Sequence, residues 1–217
     1  MKKNLLLPLA LLMCTAAGAQ NVQFHYDFGR AIYDDISERP NVTTTVEMFK
    51  ADKWGSTYFF TDIEYNGGMS SDKHLSMPPS RFQHAVLVGP AWNWASKDFS
   101  KTFSVQLMYK YYFKGAQPYQ NAYNGFQLTE VWSVTFAHKL CTFSGFADLW
   151  YDKRVNGNLI FTTEPQFWFN LNTIKGMDGV NLSLGTEVEI SNNFVYNDMG
   201  RNNKLYAIPT IAAKWTF

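Results

Sequence analysis

Along most of this chain, hydrophobic and polar residues alternate with a period of two, the pattern of a strand whose two faces meet different media. The run from Gly179 to Ile190 is the cleanest. Val180, Leu182, Leu184, Thr186, Val188 and Ile190 fall on one face, and Asn181, Ser183, Gly185, Glu187 and Glu189 on the other. Val22, Phe24, Tyr26 and Phe28 alternate in the same way with Gln23, His25, Asp27 and Gly29. The rhythm returns from Phe103 to Tyr112, from Cys141 to Tyr151 and from Leu159 to Leu171. Less regular strands are predicted near 42–51, 56–65, 81–94 and 125–137, and a last one runs through Ile211, Ala213, Trp215 and Phe217. Glu130 falls among Phe126, Leu128, Trp132 and Val134, which predicts a bulge or a register change there.

Gly, Asn, Asp, Ser and Pro clusters separate these runs. Connections are expected at 31–41, 66–80, 114–124, 152–158 and 192–203, alternating with shorter ones at 52–55, 95–101, 138–140 and 172–178. Long outer loops alternating with short inner turns is the habit of outer-membrane barrels. The faces agree. Two carboxylates, Glu187 and Glu189, on an inward face would be costly in a dry core, whereas a barrel interior can be wet. The expected fold is therefore all-β: a transmembrane antiparallel β-barrel of the outer-membrane type, with about ten strands and eight to twelve admissible. A soluble β-sandwich shares the short alternating strands, but its inward faces should be apolar. Here the apolar faces are aromatic-rich, and the opposite faces mix Glu, Asp, Lys, Tyr and Trp.

The first nineteen residues read differently. Lys2 and Lys3 precede an apolar run from Leu5 to Met13, and Ala17-Gly18-Ala19 forms a small-residue cleavage site, so 1–19 is expected to be a signal peptide and 20–217 the barrel. Cys14 admits a lipoprotein reading, against which stands the bulk of Met13. The chain of 217 residues carries a formal net charge of +1, and losing 1–19 removes two lysines and no acid. Neither a nucleic-acid footprint nor a polybasic patch follows. All 18 Phe, 12 Tyr and 7 Trp lie beyond residue 19, yet no apolar stretch there approaches the roughly 20 residues of a transmembrane helix. Cys141 is the one cysteine left, so no internal disulfide is expected. The C-terminal Phe217, ending an alternating strand, resembles the strand by which outer-membrane barrels engage their assembly machinery. The location expected is the bacterial outer membrane, with its lipid and that machinery as partners.

No phosphate-binding glycine loop, zinc spacing or nucleophile elbow is present. His25, His74, His84 and His138 are scattered, and no cofactor, metal or catalytic group is expected. The residues expected in the lumen are Glu47, Tyr58, Asp62, Glu64, Lys110, Tyr112, Asp148, Trp150, Glu164, Trp168, Glu187, Glu189 and Arg201, with Asp27, Lys50 and Lys214 beside them. Aromatic rings stack on planar solutes, and carboxylates accept hydrogen bonds from hydroxyl groups. The same charges can instead pair and lock a filled interior.

The segment Asn192-Asn193-Phe194-Val195-Tyr196-Asn197-Asp198-Met199-Gly200-Arg201-Asn202 resembles one in the Tsx-type nucleoside-specific channels of bacterial outer membranes. Weaker likenesses are Thr44 to Phe49 followed by Asp52-Lys53-Trp54, and the run Tyr58 to Tyr65. The resemblance implies a barrel passing nucleosides through a narrow, aromatic-lined lumen. It also implies twelve strands and further strands after the motif, from which this shorter chain departs. Three functions are carried forward: a passive channel for nucleosides or other small hydrophilic solutes, a closed structural or adhesion barrel, and a membrane-embedded lipid-modifying enzyme.

Overall fold

The computed structural model describes residues 20–52, 55–65, 85–114, 121–153, 159–194, 196 and 200–217, with side chains for all but Gln20, 49–52 and 55–60. The expected signal peptide, 1–19, lies outside the described residues. The strands are β1 (Gln20–Asp27), β2 (Val42–Asp52), β3 (Gly55–Tyr65), β4 (Ala85–Val88), β5 (Ala91–Ala95) and β6 (Lys101–Tyr112). They continue with β7 (Tyr123–Phe136), β8 (Cys141–Tyr151), β9 (Leu159–Thr163), β10 (Gln166–Asn170), β11 (Leu182–Asn192) and β12 (Leu205–Thr216). All twelve belong to one antiparallel sheet in the order β3-β2-β1-β12-β11-β10-β8-β7-β6-β4, with β5 also on β6 and β9 between β8 and β11.

Two prolines explain why twelve strands occupy ten positions. β4 and β5 lie in line along β6, Val88 opposite Tyr109 and Ala91 opposite Gln106. Pro90 between them has no N–H for the ladder, although its carbonyl accepts from Leu107 N at 3.1 Å. β9 and β10 continue each other in the same way, and the Pro165 carbonyl between them accepts from Val188 N at 3.0 Å. The expected single strand from Leu159 to Leu171 is thus two segments of one line. β1 pairs with β12 from Asn21 opposite Thr216 to Asp27 opposite Thr210, which joins the first strand to the last. Among the described residues the path ends at β3 and β4, the two strands that flank residues 66–84.

Side chains are distributed inside out relative to a water-soluble core. On β1, Gln23, His25 and Asp27 are buried, while Phe24 and Tyr26 are 52% and 47% exposed. On β12, Tyr206, Ile208, Thr210 and Ala212 are buried, and Ile211 is 61% exposed. Trp92 and Trp94 on β5 project together from the same aromatic face. The ladder is unbroken through Glu130, which stands opposite Val105 on β6 and Ala147 on β8. The expected bulge or register change there is absent, and Glu130 sits on the aromatic face because its neighbours on both sides keep the period of two.

The connection between β1 and β2 is more than a loop. A helical turn, α1 (Gly29–Ile32), and a 3-10 turn (Asp34–Ile36) fold it back over the polar face. Asp27 Oδ1 accepts from Gly29 N at 2.7 Å and starts the turn. Ile36 ends fully buried against Tyr196, Tyr206 and Ile208, with Tyr33 packed alongside, forming an apolar plug at the long-loop end of β12. No helix among the described residues is long and apolar enough to cross a membrane.

Candidate functional site

The polar face carries two clusters. The larger joins β1, β12, β11 and β10 with the β1–β2 connection. Arg39 donates through Nε to Asp27 Oδ2 at 2.8 Å and through Nη2 to Glu189 Oε2 at 2.7 Å. Ser191 Oγ donates to the other Glu189 oxygen at 2.7 Å. The ring nitrogens of His25 meet Thr210 Oγ1 at 3.1 Å and Gln23 Oε1 at 3.0 Å, and Glu187 lies 3.8 Å from the first of them. Glu187 accepts from Gln166 Nε2 at 2.6 Å, and Gln166 in turn accepts from Trp168 Nε1 at 3.0 Å. Trp168 is fully buried, with Lys214 Nζ 4.1 Å above its ring and His25 edge-on at 6.2 Å. Gly185 opposite makes this fit: a Cβ there would stand 2.1 Å from the Phe167 carbonyl oxygen and 2.7 Å from Trp168 Cε3.

A chain of amides extends the cluster toward β2 and β3. Glu47 Oε2 accepts from Asn21 at 3.0 Å and from Gln23 at 3.1 Å. Asp62 accepts from Thr45 at 2.6 Å. The smaller cluster, on β6, β7 and β8, centres on Lys110. Its Nζ donates to Gln127 at 2.8 Å and lies 5.1 Å from the Tyr112 ring and 4.9 Å from the Trp150 ring. Asp148 accepts from Gln127 at 3.2 Å and from Thr129. Near the short-turn end, a cavity of about 400 Å³ is lined by Thr135, Thr142, Asn170, Ser183, Lys139 and Lys214.

Most residues expected in a lumen do meet on this face. Glu47, Asp62, Trp168, Glu187 and Glu189 belong to or border the larger cluster, and Lys110, Tyr112, Asp148 and Trp150 form the smaller one. Glu64 shares its face with Asp62 through the pairing with Thr43, and Glu164 lies between β9 and β10, within electrostatic reach of Glu187 and Glu189. The side chain of Tyr58 lies outside the described residues. The side chain of Lys50 likewise lies outside the described residues.

Arg201 is elsewhere. It reaches Glu38 and the Asp35 carbonyl over the β1–β2 connection, 5.0 Å from the Tyr196 ring, at the long-loop end. The turn before it keeps Gly200 at φ +86°, as a hairpin glycine should be, while Asn197, Asp198 and Met199 lie outside the described residues. Lys204 donates to Asp35 at 2.5 Å and Tyr206 donates to the same oxygen at 2.8 Å, so this end is tied down by its own ion pairs. Sequence reasoning missed Arg39, His25 and Gln166 as members of the site. Arg39 sits in a connection expected to be outside the barrel, and His25 and Gln166 show only as ordinary polar positions of two alternating strands. Among the described residues no group of His, Cys, Asp and Glu is arranged to hold a metal ion.

The profile of a family described as a domain of unknown function, DUF5020, matches residues 19–69 and 61–217. No curated protein and no solved structure matches the chain.

Proposed function

We propose that this chain, which belongs to the DUF5020 family, closes its sheet into a ten-position barrel in the bacterial outer membrane and passes small hydrophilic solutes passively, nucleosides first among them. One observation carries the reading: on β1, β6, β10, β11 and β12 the buried face holds the polar and charged residues, and the face that is exposed is rich in aromatic and aliphatic side chains. In water, so many exposed rings form a large unpartnered apolar surface. In lipid they are the expected outer surface of a barrel whose interior is polar. Closure is supported by two features. β3 and β4 are consecutive in the chain, and Asp62 on β3 interacts electrostatically with Glu187 on β11, four positions away along the path. Adjacent strands lie about 4.8 Å apart, so a flat sheet would hold those carboxylates nearly 20 Å from each other.

The solute class follows from what the polar face offers. Asp62, Glu64, Glu164 and Glu187 present acceptors to hydroxyl and amino groups, Trp150 presents a partly exposed ring to planar bases, and Trp168 is reached once Lys214 leaves its face. The resemblance around Asn192 to Asn202 points to the same solutes. The second reading is a closed barrel, favoured by the complete burial of Trp168 and by the Arg39 bridge that fastens the plug across the polar face. The lipid-enzyme reading gains nothing from His25, whose nitrogens meet Thr210 and Gln23. Planar-bilayer recording with purified protein separates the first two. Small conductance steps that fall when adenosine or thymidine is added support the channel, and a silent bilayer holding protein whose gel mobility shifts on boiling supports the closed barrel.

A further inference from the structure

Glu130 is a carboxyl group in an apolar setting that its own chain does not complete. It lies halfway along β7, flanked on the aromatic face by Leu128 and Trp132 and across the ladder by Val105 and Ala147. Leu107 and Leu149 continue this aliphatic band on either side. Rings bracket it toward both strand ends: Tyr109 and Phe126 on one side, Phe103, Phe136 and Phe143 on the other, all exposed. Among the described residues Glu130 has no hydrogen-bond or ion-pair partner. The other charged residue on this face of β6, β7 and β8 is Lys101, which pairs with Val134 at the short-turn end. Four residues of β6 separate it from Val105, roughly 13 Å along the strand.

In the membrane reading proposed above, on which this inference rests, that band is the hydrocarbon middle between two aromatic girdles. A polar group there needs a partner at its own depth. We propose that the β6–β8 face is a two-fold interface with a second copy of this chain, in which the two Glu130 carboxyl groups meet and hydrogen-bond each other. The second copy is the occupant that the geometry favours. Copies inserted in one membrane share one orientation, so their two-fold axis stands along the membrane normal and brings each residue near the axis against its equivalent. A neutral carboxyl carries one donor and free acceptors, so a pair of them is self-complementary. The surface beside the pair is also low, because Ala147 on β8, directly across the ladder from Glu130, is small.

The test compares wild type, Glu130→Leu and Glu130→Gln in phosphatidylcholine–phosphatidylglycerol vesicles. Copies are labelled with donor or acceptor dyes at Lys97→Cys in the exposed short turn, in a Cys141→Ala background. Wild type should show energy transfer that persists on lipid dilution. Glu130→Leu should lose at least ten-fold in dimer affinity, and Glu130→Gln should keep most of it, since two amides also pair. All three should run as heat-modifiable bands, and failure of that band in the wild type would fault the membrane reading rather than the interface. A wild type that is monomeric at every dilution, a Glu130→Leu variant as dimeric as wild type, or a monomeric Glu130→Gln variant overturns the carboxyl-paired dimer.

Discussion

Replacing Arg39 by methionine tests whether the polar face is held together by its own charges. The guanidinium lies 2.8 Å from Asp27 and 2.7 Å from Glu189, and the three side chains are 13%, 6% and 10% exposed, so solvent screens them little. Burial alone would lower the Arg39 pKa, but the carboxylates of Glu189 and Asp27 outweigh it and raise it, so the side chain stays charged. At an effective dielectric of about 20, each contact is worth roughly 6 kcal/mol of Coulomb attraction before desolvation. Desolvating the ions costs several kcal/mol each, so the intact network stands near balance. Deleting only the cation leaves two carboxylates uncompensated and should destabilise the fold by about 3–5 kcal/mol. The assay is urea unfolding in detergent micelles, followed by loss of the unboiled gel band. Neutralising the acids as well, in Arg39→Met with Asp27→Asn and Glu189→Gln, should recover most of the loss. An Arg39→Met variant within about 0.5 kcal/mol of wild type would refute the buried bridge.

Three further outcomes are expected. In a channel, Trp168→Ala removes the ring under Lys214 and should raise single-channel conductance several-fold; an unchanged conductance means the solute path does not pass Trp168. Gly185→Ala drives a methyl group to 2.1 Å from the Phe167 carbonyl and should cost about 1–3 kcal/mol in the urea assay, an expectation that a wild-type midpoint would contradict. Hydrogen bonds from Lys204 and Tyr206 hold the Asp35 pKa below its ordinary value. Because the folded value is the depressed one, the tie's stability is present above the unfolded value near 3.9 and is lost as pH falls through the lower folded value. Carbon chemical shifts of the Asp35 carboxyl should therefore stay those of a carboxylate at pH 4, and a midpoint at or above 4 would remove the tie.

The alternation was enough to read ten strand positions and which residues share each face, because the period of two is fixed by strand geometry wherever two faces meet different surroundings. Gln23, Asp27, Glu187 and Glu189 could be placed in this way. Pro90 and Pro165 were visible as letters, but whether a proline ends a strand or only interrupts its ladder depends on the register of its neighbours. Glu130 shows the opposite limit. A single polar residue on an apolar face invites a local correction, and only the pairing with β6 and β8 shows that the period runs straight through it. Arg39 was illegible for another reason. A connection's length says nothing about whether it turns outward or folds back, and here burial of Ile36 against Tyr206 and Ile208 decides the matter.

The order of environments along the polar face bears on which solute suits it. In the barrel proposed here, a solute entering from the short-turn end first meets the cavity lined by Thr135, Thr142, Asn170 and Ser183. These four are uncharged donors and acceptors that satisfy hydroxyl groups, and Lys139 and Lys214 on the same wall add positive charge at the entry. It then reaches Trp168, whose ring is already covered by a cation, Lys214. A cationic solute would be repelled at that point, and an anionic one would be attracted only to meet Glu187, Glu164 and Glu189 beyond. A neutral molecule with hydroxyls at one end and a planar, amino-bearing ring at the other is repelled at neither step. It can replace Lys214 over the ring and donate to the carboxylates. Charge alternation along the path thus selects against ions of either sign more strongly than any single residue does, and it favours a neutral nucleoside over a nucleotide. Competition measured in one bilayer should show it: thymidine should block current at concentrations where thymidine monophosphate does not, and equal block by both would remove the acids from the path.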